Sequence, residues 1–314
     1  MFVLVLIILI LFPEGAREGA EEGLRVAFDT VIVSILPFSV MCCALVYSGF
    51  SERLGRFFMP LARLFRINPY GMTALFTGLL AGYPTGCKMV GDMYSEGLIE
   101  KEEAEKTLAY ANNGGLIFAL NVVGEGIFNS KGAGGLVFAV SAVSALVTAI
   151  LLGKSREREV FATKKEKLPF MTVLGKSVAS GGGVILNIAS SFIVFYAISN
   201  ALGLESFPFL EGCVEMTKGI MHAGKAHSLP LAAFFFTLGG FGVFSQSAAI
   251  LSTHNLSLKW YVKGKILSAS VAFLIMYIIT ERPFFCKETV LLSLLAFLAV
   301  TVSVKAIKKL YAKA

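Results

Sequence analysis

The chain alternates long uncharged runs with short charged clusters. Thr30–Phe50 is uncharged for 21 residues, enough to cross a bilayer, with Pro37 as a kink inside it. Gly132–Gly153 is apolar and rich in Ala, Val and Gly, which suits close helix packing. Ser177–Leu204 and Ser228–Thr253 are uncharged, and Ile266–Thr280 and Thr289–Val304 read as two final spans. Met1–Phe12 is apolar but short and ends at Pro13; without a basic leader region or a small-residue cleavage site, it reads as a tilted first span or part of a longer one.

One apolar run is interrupted where no charge interrupts it. Between Ile67 and Cys87 the pattern breaks at Gly82-Tyr83-Pro84-Thr85-Gly86, and it resumes with Lys88 and Asp92 inside it. Two glycines around a proline do not hold an ordinary helix. At membrane depth, broken backbone is tolerated where protein buries it or where it lines a cavity. A second interruption, Asn112-Asn113-Gly114-Gly115, falls in the next apolar run, Thr107–Gly124. Two more follow late in the chain. Glu205–Lys225 scatters Glu211, Glu215 and Lys218 among apolar residues, and Ser228–Thr253 contains Gly239-Gly240-Phe241-Gly242 before Ser245 and Gln246.

The charged clusters orient the chain. Glu14–Glu22 carries four glutamates and one arginine. Arg53, Arg56, Arg63 and Arg66 punctuate Ser51–Asn68, read as an interfacial amphipathic helix or a solvated loop. Leu98–Lys106 alternates Glu and Lys as an exposed helical connection does, and Lys154–Pro169 is a loop with six Lys or Arg. Placing the lysine-rich C-terminus in the cytoplasm gathers these basic loops, and Lys259, Lys263 and Lys265, on one face. That topology holds only if 67–97 and 205–225 are re-entrant from opposite faces. Residues 24–153 and 171–280 then read as inverted repeats in a single membrane domain, 1–314, joined by the cytoplasmic loop 154–170 and followed by the span 289–304. Paired interruptions at corresponding positions point to a solute site near the bilayer midplane.

Composition agrees: 56% of residues are hydrophobic, 16% are charged, and mean hydropathy is +0.75. The net charge of +7 sits in loops between apolar runs, so it marks orientation and not nucleic-acid binding. Five cysteines without metal spacing point to buried thiols. There is no phosphate loop, metal motif or nucleophile elbow, so neither an enzyme nor a cofactor is expected.

The fold expected is therefore an all-α integral membrane protein, a polytopic helical bundle with two inverted repeats, each holding a re-entrant hairpin and a broken helix. Its four breaks should converge. Free N–H groups there favour an anionic ligand, with Lys88 adding charge and Asn113, Ser245 and Gln246 adding neutral hydrogen bonds. Glu215 suits a coupling cation, a proton, or a salt bridge to Lys88 or Lys218; helix capping is the alternative role for Asn112 and Asn113.

The stretches LFPEGAREGAEEGL (11–24), SGFSERLGRFFMPLARLFRI (48–67), GLLAGYPTGCKMVGDMYSEGLIEKEEAEKTLAYANNGGLIF (78–118), GCVEMTKGI (212–220) and GGFGVFSQ (239–246) resemble the YlbJ-type sporulation integral membrane proteins, which carry the nucleoside-recognition or Gate domain. The resemblance implies an architecture similar to concentrative nucleoside transporters. It marks Gly82, Tyr83, Pro84, Gly86, Lys88, Asn112, Asn113, Glu215, Gly219 and Gln246 as site residues. It also implies a role in spore formation, with dipicolinate as a candidate cargo. Leu116 and Lys218 stand where the family commonly has proline and asparagine. The function expected is a cell-membrane transporter or permease for a small polar, anionic solute. A non-transporting sporulation scaffold and a nucleoside transporter are the alternatives. Its partners would be the solute, the bilayer, a coupling cation or proton, and, as an open alternative, a second copy of the chain.

Overall fold

The computed structural model describes residues 2–153 and 168–281, and every regular element among them is helical. The basic loop is thus described only at its end, and the expected span 289–304 and the C-terminal tail lie outside the described residues.

Helices α1 (Phe2–Leu11), α2 (Pro13–Val26) and α3 (Val33–Tyr47) open the chain, with a wide π-type turn over Ala27–Ile32. Pro13 starts α2, where its missing N–H costs nothing. The acidic cluster Glu14–Glu22 is part of this helix. Gly15, Gly19 and Gly23 recur every four residues and face α9 (Phe170–Ala201). A Cβ on Gly19 would sit 2.4 Å from the Tyr196 carbonyl oxygen, so this packing requires glycine. Glu14, Glu18 and Glu21 occupy the open side. Helix α4 (Phe50–Phe65) buries Ala62 and Phe65 and leaves Arg53, Arg56 and Arg63 exposed beside Phe57. It is an amphipathic helix, and the alternative of a solvated loop is set aside.

Two pairs of short helices fold back on themselves. In the first hairpin α5 (Pro69–Ala81) begins at an Asn68 cap, whose side chain accepts the Tyr70 N–H at 2.8 Å. The chain turns through Gly82-Tyr83-Pro84 into α6 (Thr85–Ser95), and Thr77 Oγ1 meets Met89 Sδ across the pair. In the second hairpin α10 (Pro208–Val214) turns at Glu215 into α11 (Met216–Lys225). A Cβ on Gly219 would lie 2.5 Å from the Gly212 Cα. Each hairpin is followed by an interrupted helix and then by a long one. Helix α7 (Lys101–Ala111) breaks at 112–115 before a π-type segment, Phe118–Ile127, and α8 (Lys131–Leu152). Helix α12 (Leu229–Leu238) breaks at Gly239 before α13 (Gly240–Thr253) and α14 (Lys259–Glu281).

The bundle has apolar cores, but it also buries hydroxyls between its helices and turns large apolar side chains outward. Thr148 and Ser268 meet at 2.6 Å between α8 and α14, both fully buried. Leu186, Phe170, Met171 and Leu274 point outward, Leu186 being 71% exposed. An apolar exterior over a small-residue, hydroxyl-bonded interior is what lipid solvent selects. Among the described residues four stretches are long and apolar enough to cross a membrane: Lys131–Leu152, Phe170–Ala201, Leu229–Thr253 and Lys259–Thr280. The chain is an integral membrane protein; among the described residues the expected span Thr30–Phe50 and the two expected re-entrant segments appear as shorter helices.

Candidate functional site

The helix breaks meet. A cavity is lined by Gly82 and Tyr83 of the first hairpin turn, Gly114 and Gly115 of the α7 break, Met216 at the start of α11, and Val243 and Gln246 of α13. Phe118, Ile188 and Phe192 complete its wall. Gly82 has φ +83°, and a Cβ there would lie 2.9 Å from the Gly115 nitrogen. Two breaks are thus in backbone contact, which explains the glycines on both sides. Two helical segments start at the cavity, the one after Gly115 and α11 at Met216; α6 begins two residues past Tyr83, and α13 enters the wall at Val243. Helix starts present N–H groups and partial positive charge. Gln246 is 4% exposed and lines the cavity, and its side chain makes no hydrogen bond to the described residues. The space open to water centres is about 30 Å³, enough for about two waters and too small for a multi-atom solute.

Behind this wall lies a polar frame. The Lys265 ammonium donates to Tyr83 Oη (3.1 Å), Asn113 Oδ1 (3.0 Å) and the Thr237 carbonyl (3.2 Å). The Tyr83 hydroxyl donates to the same Thr237 carbonyl at 2.8 Å. Asn113 also donates to the Tyr110 carbonyl at the end of α7. Asn112 accepts the Cys87 N–H in the first turn of α6 and donates to Ser247 and Tyr261. Both asparagines are fully buried. Their role goes beyond capping: each ties the broken helix to other elements, and neither lines the cavity.

The second hairpin carries an ionic cluster. Lys218 Nζ lies 3.0 Å from Glu211 Oε1 and 3.6 Å from Glu22 Oε2, donates to Asn200, and stacks over the Tyr196 ring. Glu211 also accepts from Ser199 (2.6 Å) and pairs with His222 (2.5 Å). Glu215 caps α11 by accepting the Lys218 N–H at 3.0 Å.

Several expected site residues stand elsewhere. Lys88 is not at the cavity: it pairs with Asp92 at 3.0 Å, one turn along α6, with both side chains about a quarter exposed. The salt bridge to Glu215 that the sequence left open for Lys88 is not formed. Lys88→Gln is therefore expected to change stability by less than ~1 kcal/mol; parallel thermal melts of the variant and the wild type check this. Ser245 is exposed and bonds to Gly242 of its own helix, because its neighbour Gln246 takes the inward direction. Gly86 and Gly219 serve as contact points between backbones, and Pro84 leads into α6. Lys265, counted with the orienting loop lysines, is instead fully buried in α14. The sequence signal for it was the helical face Tyr261, Lys265, Ser268, Ala272 and Met276, all buried. Glu211 and His222 were also missed. Among the described residues no cluster of His, Cys, Asp or Glu is placed to hold a metal ion.

No family model matches the chain, and no solved structure gives a significant match. Among curated proteins, the sporulation integral membrane protein YlbJ of Bacillus subtilis (strain 168) is 23% identical over 312 aligned positions, covering 83% of this chain and 76% of that protein. The similarity spans most of both chains and supports a YlbJ-type family for this protein.

Proposed function

We propose that the chain is a transporter or permease for a small polar, anionic solute, with a role in spore formation like that named for its relative. One observation carries the reading: residues of all four interrupted elements line one cavity, and Gln246, which makes no side-chain hydrogen bond to the described residues, lies in its wall. Helix starts at an unwound midplane are how transporters hold anionic groups. The cavity is too small for such a solute as it stands, so binding requires the hairpin turns to separate. Parting and closing of two hairpin-bearing repeats is the motion that alternating access needs. The matching order of elements in the two halves supports inverted repeats, with the hairpins re-entrant from opposite faces.

Two measurements test this. Purified full-length protein in liposomes should accumulate pyridine-2,6-dicarboxylate above empty liposomes; nucleoside uptake alone would favour a nucleoside transporter, and uptake of neither would favour the scaffold. Single cysteines at the exposed positions Lys101 and Ser206, in a background without the native cysteines, should label from opposite faces. Labelling from one face would remove the inverted arrangement.

A further inference from the structure

Lys265 is distinguished by what does not accompany it. Its side chain is fully buried, and its three contacts are neutral oxygens from three different interrupted elements: Tyr83, Asn113 and Thr237. An ammonium has three donors and no acceptor. Tyr83 directs its own hydrogen to the Thr237 carbonyl, so it meets Lys265 as an acceptor. Three acceptors thus face three donors, the arrangement that suits the charged form. No acidic side chain pairs with Lys265 among the described residues. The two buried acids among the described residues are engaged elsewhere, Glu211 with Lys218 and His222 and Glu215 with the first turn of α11, and the half-buried Asp92 pairs with Lys88.

A buried charge without a counter-charge is costly, and in a low-dielectric interior its field reaches well beyond contact distance. Lys265 lies against a residue of the cavity wall. Its ammonium lies 5.1 Å from the centroid of the Tyr83 ring, and Tyr83 is part of the cavity wall. We infer that Lys265 sets the charge preference of the cavity: its uncompensated ammonium is the fixed counter-charge for an anionic solute held on the far side of Tyr83. The inference rests on the transporter reading above and names the residue that decides which charge class is accepted. The competing account is a neutral strut, in which Lys265 only ties Tyr83, Asn113 and Thr237 together.

The test compares two solutes of one shape, pyridine-2,6-dicarboxylate and the uncharged pyridine-2,6-dicarboxamide, in liposomes holding the full-length chain. The wild type should prefer the dianion by about tenfold or more, and Lys265→Met should bring the ratio near one while diamide uptake persists. Because Lys265→Met removes three hydrogen bonds and could impair folding, Asn113→Asp supplies the second arm. It keeps the lysine and places a carboxylate on it, so it should lower the dianion-to-diamide ratio in the same direction. A strut would leave that ratio unchanged in Asn113→Asp, and in Lys265→Met protein that folds; either result overturns the inference alone. A wild type that takes up both solutes equally also overturns it while leaving transport intact. A wild type that takes up neither removes the transport reading and this inference together.

Discussion

Alanine at Gly78 or Gly86 is expected to cut solute uptake by roughly 5–150-fold while the protein remains folded in detergent. The two glycines lie on opposite arms of the first hairpin and face the same point. A Cβ on Gly78 would sit 1.9 Å from the Ala111 carbonyl oxygen, and one on Gly86 would sit 2.3 Å from it. The obstruction is backbone at the start of the α7 break, not the flexible end of a side chain. Either methyl must therefore push the hairpin off the broken helix. Overpacking of this kind costs about 1–3 kcal/mol. That cost falls on the arrangement in which Gly82 touches Gly115 and the Asn112 side chain reaches the Cys87 N–H. Gly183→Ala is the matched control, since a Cβ there meets nothing within 4 Å. Liposome uptake and thermal melts of the three variants decide the matter. Equal uptake in all three would mean that hairpin contact with the break is not needed for function.

How far the sequence foretold this geometry differs from element to element. The hairpin turn at Gly82–Gly86 and the break at Asn112–Gly115 were legible because glycine and proline act locally: they deny a helix whatever surrounds them. The convergence of the breaks followed from pairing interruptions at corresponding places. What a helix does with its side chains was harder to read. Lys88 drew attention as a lysine beside a break, although Asp92 stands four residues on, the spacing of a local ion pair. Lys265 was hidden among Lys259 and Lys263, since only the true start of α14 shows that its face is the one occupied by Tyr261 and Ser268. The four glutamates of 14–22 dominate the pattern there, and the glycine period of four that packs α2 on α9 lies beneath their charge. The partners of Glu211 lie on α9 and α11, and no local pattern joins those helices in advance.

Breaking the Glu211–Lys218 pair should cost about 3–5 kcal/mol of stability, because removing one partner of a buried pair strands the other. The side chains are 2% and 9% exposed, and they meet at 3.0 Å where α10 folds back on α11. Glu211→Gln leaves Lys218 facing Asn200 and the more distant Glu22; Lys218→Met leaves Glu211 with Ser199 and His222. The residual contacts in each single variant are those of an incomplete network, so neither restores a matched pair. The double variant removes both charges and should regain most of the loss, since two apolar or neutral groups of similar volume can replace an ion pair at little net cost. Glu22→Gln provides the surface contrast. Its carboxylate is 42% exposed and 3.6 Å from Lys218, so a change below ~1 kcal/mol is expected. Thermal unfolding of the three single variants and the double variant in one detergent gives the comparison. If the double variant proved as unstable as the sum of the singles, Glu211 and Lys218 would be acting independently. The second hairpin would then be held by its Gly212–Gly219 backbone contact and not by charge.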